Sequence, residues 1–277
     1  MALVRSACFG SLALIAALAL AGCRSAAQTM RISLPARHAV RAEQLLVLSD
    51  FKLSEDHALI KDLVQLRLAI AETLELPLQQ QPVVVYLFSD EPTYRKYLAA
   101  TFPGLPPRRA YFVGTSRELA VYTFWGERIQ EDLRHEYTHG LLHASLEEVP
   151  LWLDEGLAEY FEVAGPSPGS LQSAYAQRLS ESLGRGWRPD LSRLERLNHF
   201  SQMQRADYEE AWAWVHFMLH GAPESRAILL SHLRALKQGL PPEPLSVRLE
   251  QHQPNIQQHF LSYLSSLNAD SDRISSL

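Results

Sequence analysis

The sequence predicts an α+β fold with a mixed N-terminal lobe, residues 31–163, and a helical C-terminal lobe, residues 164–277. Short runs rich in branched and aromatic residues, which are typical of strands, lie before residue 125 and alternate with segments of helical spacing. After a Gly/Pro-rich loop at residues 165–169, the pattern is helical to about Leu267. With 47% hydrophobic residues, a chain of this length can bury a sizeable core.

The predicted elements of the mixed lobe follow from local patterns. The chain is expected to begin with a strand at residues 45–48 and a helix from a Ser54 cap to about Leu74. A buried strand at 83–88 and a helix near 91–99 follow, and then a turn at 103–107. Two strands, at 111–113 and 119–124, are joined by a polar turn.

The segment Leu-Arg-His-Glu-Tyr-Thr-His at residues 133–139 carries the strongest chemical signal. On a helix, a separation of four residues returns to nearly the same face, so His135 and His139 can bind one metal ion together. Glu136 lies beside that ion, where a carboxylate can take a proton from metal-bound water. The pattern predicts a hydrolytic metal site.

A second, acid-studded helix is predicted after Pro150. Catalytic zinc usually has three protein ligands, and two His plus one Glu is an established set, so Glu155 is the candidate third ligand. The first helix is expected to end near residues 144–148, before a turn. Glu159, one turn beyond Glu155, can accept a hydrogen bond from a ligating imidazole. Asp154 is assigned to the helix N-terminus, where negative charge is favoured.

These segments resemble the gluzincin metallopeptidases, and within them the peptidase-MA-like group. That group follows His-Glu-x-x-His with Trp-x-x-Glu-Gly-x-Ala-x-Tyr, which is complete here as Trp152, Glu155, Gly156, Ala158 and Tyr160. A later helix, residues 208–219, looks like the Tyr-x-x-Ala-x-x-x-Val-x-Phe-Leu helix of these proteins. The specific likeness spans about residues 128–220.

The resemblance implies a zincin-like catalytic domain over residues 31–277, with the zinc site between the two lobes. It implies that His135, His139 and Glu155 bind Zn²⁺ and that Glu136 is the general base. It also makes Tyr208 the candidate donor to the substrate oxygen that gains negative charge, although its helical spacing equally suits a core tyrosine. The implied substrate is a peptide or protein, and one of the strands before the metal helix is a candidate to pair with it.

The remaining histidines are predicted to have structural roles. The metzincin pattern, which requires a third His at a set spacing, is absent. His143 is expected to be a cation near a helix C-terminus. His216 and His220 lack a carboxylate at a suitable spacing and are expected to be core or surface histidines. Tyr160 is expected to pack.

Residues 1–22 are predicted to be a lipoprotein signal peptide. Arg5 precedes an apolar run that is shorter than a membrane-spanning helix, and the run ends in Leu-Ala-Gly-Cys. This ending resembles the lipobox of bacterial lipoproteins, which implies that Cys23 is acylated, that residues 23–30 form a lipidated tether, and that the protein is anchored in the cell envelope. Arg24 implies the outer membrane, with the protein facing the periplasm. The alternative is an ordinary signal peptide with an incidental Cys23.

Composition separates the remaining function classes. The formal net charge is −5, and nothing suggests a nucleic-acid partner. A structural zinc site usually has four ligands rich in cysteine, whereas the two cysteines here lie far from the motif. Two classes stay open: a zinc peptidase of the envelope, acting on proteins or on peptidoglycan peptides, and a non-catalytic or weakly active zincin-fold lipoprotein that serves as a binding or assembly module. The intact Glu136 favours the peptidase.

Overall fold

One five-stranded sheet organises the N-terminal half of the protein. The computed structural model describes residues 33–77, 81–165 and 173–275. The strands are β1 (His38–Ala42), β2 (Leu45–Ser49), β3 (Val83–Phe88), β4 (Ala110–Gly114) and β5 (Leu119–Phe124), in the order β1-β2-β3-β5-β4. Strand β3 is parallel to β2 and β5, and the two outer pairs are antiparallel. Strand β4 therefore forms one edge.

Only helices follow β5 in the described residues. The helices are α1 (Ala58–Leu74), α2 (Glu91–Thr101), α3 (Ile129–Ser145), α4 (Leu151–Glu162), α5 (Ser173–Gly184), α6 (Leu191–Leu194), α7 (Arg205–His220), α8 (Pro223–Lys237), α9 (Leu245–His252) and α10 (Ile256–Ser275). This arrangement confirms the predicted α+β class, and α3 ends where the sequence predicted.

The sheet is covered on both faces. Along β3, Val83, Val85 and Leu87 join the large core that also contains the apolar sides of α1 and α3. Val84, Tyr86 and Phe88 point to the opposite face, which is covered by α2. Because side chains alternate along a strand, a strand buried on both faces is apolar throughout, as β3 is.

Two details of the N-terminal half differ from the predictions. The prediction that Ser54 caps α1 is wrong: the cap is His57, whose Nδ1 accepts a hydrogen bond from the Leu59 backbone N–H at 3.2 Å. The Ser54 carbonyl instead accepts from the His57 N–H and closes a turn before the helix. Strand β1 was not predicted, because Val40 is its one buried residue and leaves no alternation to detect.

Two glycines allow α3 and α4 to lie close to their neighbours. A Cβ added to Gly140 would lie 2.6 Å from Val83 Cγ1, so α3 packs tightly on β3. A Cβ at Gly156 would lie 2.7 Å from the backbone oxygen of Ala211, so α4 and α7 cross almost in backbone contact. These approaches fix the two helices that carry the predicted metal ligands.

The described residues belong to one compact unit, residues 32–277. Within that part of the chain, no helix combines the length and the apolar character that crossing a bilayer requires. The predicted signal peptide, Cys23 and the tether lie outside the described residues.

Candidate metal centre and cleft

Helices α3 and α4 bring the three predicted metal ligands together. His135 Nε2 and His139 Nε2 are 3.3 Å apart, and Glu155 Oε2 lies 3.6 Å and 3.8 Å from them. Tetrahedral zinc with bonds of about 2.0–2.2 Å requires ligand atoms roughly 3.3–3.6 Å apart, so the residues fit this ion. Glu155 Oε2 is buried and has no hydrogen-bond partner among the described residues, as expected of an oxygen that a cation would contact.

The other ring nitrogen of each histidine faces a carboxylate. Glu162 Oε2 lies 3.0 Å from His135 Nδ1, and Asp154 Oδ2 lies 3.0 Å from His139 Nδ1. Such partners fix the tautomer and leave Nε2 for the metal. Asp154 lies in the first turn of α4, as predicted. Its carboxylate also faces His139 on α3, so it does not serve the helix N-terminus alone. The sequence analysis missed Glu162, although its spacing of seven residues from Glu155 places both on one helix face.

Glu159 is buried beside these groups. Its Oε2 accepts a hydrogen bond from the Tyr175 hydroxyl at 2.7 Å, and a carboxylate oxygen lies within 4.8 Å of ligand atoms of His135 and Glu162. Burial raises the pKa of Glu159 above its usual range. The predicted hydrogen bond between Glu159 and a ligating imidazole stays a prediction. The carboxylates that lie 3.0 Å from the Nδ1 atoms of His135 and His139 are those of Glu162 and Asp154.

The acids around the histidines keep the metal-free site charged. Burial lowers the pKa of His139, but the charges of Asp154 and Glu155 outweigh it and raise the pKa to about 9. The pKa of His135 is also well above 6.5, because Glu155 and Glu162 outweigh burial. Burial raises the pKa of Glu155, but the charge of His139 outweighs burial, so the pKa lies below its usual value. A metal ion binding at neutral pH would therefore displace protons from both imidazoles.

The predicted base, Glu136, is held by the edge strand. The backbone N–H of Phe112 in β4 donates a hydrogen bond to Glu136 Oε2 at 2.6 Å. The same strand lines the neighbouring cleft with Tyr111, Phe112 and Val113. Strand β4 thus both orients the carboxylate and presents an open edge beside it.

Two cavities meet at this centre. The larger has a volume of about 1070 Å³ and is mainly apolar, with Leu105, Pro106, Tyr111, Phe112, Leu197 and Phe200 in its wall. The smaller, of about 370 Å³, is lined by charged residues that include Arg109, Arg128, Glu131, Asp132, Glu159 and Glu162. Arg108, His135 and Glu136 line both cavities. A chain molecule lying in both cavities would pass over the predicted base.

Tyr208, the predicted donor, lies half-buried on α7 beside Arg108. Burial raises the pKa of Tyr208, the charge of Glu155 raises it further, and Arg108 opposes both. Tyr208 is not among the residues that line the two cavities, whereas Arg108 lines both. Arg108 belongs to no motif, so the sequence analysis did not single it out.

The other histidines contact tyrosine hydroxyls or an acid, and their predicted structural roles stay predictions. His216 Nδ1 lies 2.7 Å from the Tyr263 hydroxyl, and His220 Nε2 lies 2.7 Å from the Tyr160 hydroxyl. Tyr160 is fully buried, which confirms that it packs. His143, in the last turn of α3, lies 3.0 Å from Asp154 Oδ2.

The chain was compared with models of known protein families and with curated proteins, and neither comparison gave a match. The likeness to the gluzincin metallopeptidases therefore rests on the motifs and on the helix that carries Tyr208.

Proposed function

We propose that this protein is a zinc-dependent metallopeptidase of the gluzincin type, with a zincin-like fold, that hydrolyses peptide bonds. The observation that carries the proposal is the triangle of His135, His139 and Glu155 ligand atoms, with Glu136 beside it at the meeting point of two cavities. A structural metal site would have no use for Glu136 or for an open cleft.

The roles of the residues follow from their positions. His135, His139 and Glu155 would hold the ion. A bound zinc ion would polarise the peptide carbonyl and lower the pKa of a water molecule. Glu136 accepts the proton of the attacking water and passes it to the leaving amine. The Phe112 N–H fixes one oxygen of Glu136, and the other has no hydrogen bond to any described residue, which leaves it available for that proton.

The edge strand supports an extended peptide as the substrate. The Phe112 N–H donates to Glu136 and therefore points away from β5. Along β4, backbone N–H and C=O groups that face outward alternate with those that pair with β5. An extended segment can add to such an edge through backbone hydrogen bonds while its side chains enter the cavities.

The place of action is part of the proposal. The lipobox-like ending at Cys23 supports a lipid-anchored protein of the bacterial envelope, at the outer membrane and facing the periplasm. Proteins and the peptides of peptidoglycan are both substrates that such a location offers.

The test is zinc content and peptide cleavage of the protein purified without chelator, in three variants. Glu155→Ala is expected to lose most of the zinc. Glu136→Gln is expected to keep one equivalent of zinc and lose cleavage by roughly three powers of ten or more, because only proton transfer is removed. Glu127→Gln, which changes an exposed acid just before the same helix and outside both cavities, is the control and should resemble the wild type.

The proposal fails if the wild-type protein binds no zinc. It also fails if zinc-loaded protein cleaves no peptide in a broad library. Equal loss of zinc from Glu136→Gln and Glu155→Ala would contradict the division of roles between these two residues.

A further inference from the structure

Arg108 lies where the two cavities meet. It is located in the segment that leads into β4. Arg108 lines both cavities, as His135 and Glu136 do. The other two residues in this position are a candidate metal ligand and the candidate base. A substrate bond placed for attack beside Glu136 would therefore lie next to the Arg108 side chain.

Within the described residues, Arg108 forms no ion pair with a carboxylate, although the charge of Glu155 acts on it. Two other arginines line the smaller cavity, and both are paired: Arg109 with Asp132 at 2.9 Å, and Arg128 with Glu131. Arg108 lies instead beside Tyr208 and beside the ring of Tyr111, whose centroid is 5.9 Å from the Arg108 Cζ. A guanidinium stays protonated at any physiological pH, so this charge is permanent.

Tyr208 is placed to hold this cation. An arginine side chain has only donors, so the Tyr208 oxygen would accept a hydrogen bond from Arg108. Helix α7, which carries Tyr208, is fixed against α4 by the close approach of Ala211 to Gly156, next to Glu155. The other N–H groups of the Arg108 guanidinium remain for a ligand.

Hydrolysis of a peptide requires a donor at this position. As water attacks, a C–O bond forms, the carbonyl π electrons move to the oxygen, and the water proton passes to Glu136. When the C–N bond breaks, its electron pair leaves with the amine nitrogen, which takes the proton from Glu136. The electron pair on the oxygen re-forms the carbonyl. The oxygen is negatively charged between these events, and a preorganised donor that faces it lowers the barrier.

We propose that Arg108 is the catalytic residue that binds this oxygen, and that Tyr208 is a positioning residue that orients Arg108. The inference rests on the proposed peptidase function and deepens it. It moves the oxygen-binding role predicted for Tyr208 to a side chain that lines the cavities.

The test uses the zinc-loaded full-length protein, a cleaved peptide from the library, and the matching phosphinic peptide, whose tetrahedral anion resembles the charged intermediate. Arg108→Met is expected to lower kcat by roughly 100-fold or more, with KM within about threefold of the wild type. It should weaken the phosphinic peptide by a similar factor and leave the zinc content unchanged. Arg108→Lys should recover part of both losses.

Two further variants separate the alternatives. Arg117→Met removes the same charge from an exposed position that lines neither cavity, and it is expected to keep kcat near the wild-type value. Tyr208→Phe should cost roughly tenfold in kcat, and this loss should largely vanish in an Arg108→Met background, because a positioning residue has no effect once the residue it positions is gone.

The inference is overturned, with the peptidase proposal intact, if the wild type cleaves peptide and Arg108→Met behaves like Arg117→Met. The inference is also overturned if Tyr208→Phe lowers kcat as much in the Arg108→Met background as it does alone. Tyr208 would then act by itself. Loss of zinc from Arg108→Met would indicate a structural role instead. If the zinc-loaded wild type neither cleaves peptide nor binds the phosphinic peptide, the proposed function and this inference both fail.

Discussion

The carboxylate of Asp154 serves two imidazoles at once. Its Oδ2 lies 3.0 Å from His139 Nδ1 and 3.0 Å from His143 Nε2, and His143 in turn packs on the ring of Phe112. The charges of the two histidines hold the pKa of Asp154 well below its usual range, although burial acts in the opposite direction. The acid is therefore ionised at neutral pH and can orient His139 for the metal.

Neutralising this acid should weaken zinc binding. Asp154→Asn is expected to raise the zinc dissociation constant by roughly 10- to 100-fold, because the orientation and basicity of His139 depend on its charged partner. Competition with a fluorescent chelator measures the constant. Glu148→Gln, which changes an exposed acid between α3 and α4, is the matched control. Wild-type affinity in Asp154→Asn would show that Asp154 does not support the ligand.

The candidate ligands could be proposed from the sequence, but their supporting residues could not. His135 and His139 follow from helix periodicity, which depends only on local spacing, whereas Glu155 was chosen among its acidic neighbours on geometry and on the resemblance to the gluzincin motif. The partners Asp154 and Glu162 depend on which way each carboxylate turns once α4 lies against α3. Arg108 depends on a tertiary arrangement that no spacing along the chain encodes.

At the level of the elements, the crossing of α4 and α7 positions the third ligand. Gly156 leaves no room for a side chain against the Ala211 carbonyl, and it directly follows Glu155. A backbone oxygen cannot rotate away as a side chain can. Any group added here must separate the two helices.

We expect Gly156→Ala to be destabilising although alanine favours helix. Overpacking costs roughly 1–3 kcal/mol, more than the ~1 kcal/mol gained in helix propensity. Zinc affinity should fall as well, because Glu155 moves with α4. Chemical denaturation and zinc titration measure the two effects.

Gly184→Ala is the matched control for that substitution. It lies at the end of α5, where an added Cβ meets nothing within 4 Å, so it should be neutral or slightly stabilising. A Gly156→Ala protein as stable as Gly184→Ala would contradict the tight crossing.

The elements of the sheet were predicted unevenly for a physical reason. Strands β3 and β5 were predicted at their observed bounds, since their buried apolar runs are flanked by polar or turn residues. Strand β1 is an edge strand with little buried surface, so its sequence carries almost no signal. The His57 cap was missed because local propensities favour serine at that position.

At the level of the whole molecule, the unequal cavities predict substrate preference. Peptides with a large apolar residue on one side of the cleaved bond should have a kcat/KM roughly tenfold or more above peptides with a small polar residue there. Phe200, 54% exposed on the cleft wall, should contribute, so Phe200→Ser should reduce the preference. Leu240→Ser, at a position that is also 54% exposed and lies outside the cleft, is the control. Equal cleavage of both peptides would contradict the prediction.

Stability of the whole fold should depend on pH through His232 in α8. Burial, with a contribution from Arg248, lowers the pKa of this 4%-exposed histidine to about 4. Between pH 6.5 and 4 the unfolded chain binds a proton at His232 that the folded protein does not, so the contribution of His232 to stability falls as pH falls. The raised pKa values of His135 and His139 act in the opposite direction in the metal-free protein. The expected loss is roughly 3 kcal/mol, at ~1.4 kcal/mol per unit between the folded and unfolded pKa values.

The measurement is urea denaturation of metal-free protein at pH 7 and pH 5. His232→Leu should lose less stability between these pH values than the wild type, whereas His252→Leu, at an exposed position, should match the wild type. A wild-type slope in His232→Leu would exclude this residue as the source.

The predicted ligands and the carboxylates behind them all lie within residues 135–162, on two consecutive helices joined by a five-residue link, residues 146–150. Closing so short a loop costs little chain entropy, whereas the parallel pairing of β2, β3 and β5 joins distant segments and is slow. The helix pair can therefore form, and recruit its ion, before the sheet is complete. The ion would then bind during folding, and zinc should speed refolding as well as slow unfolding.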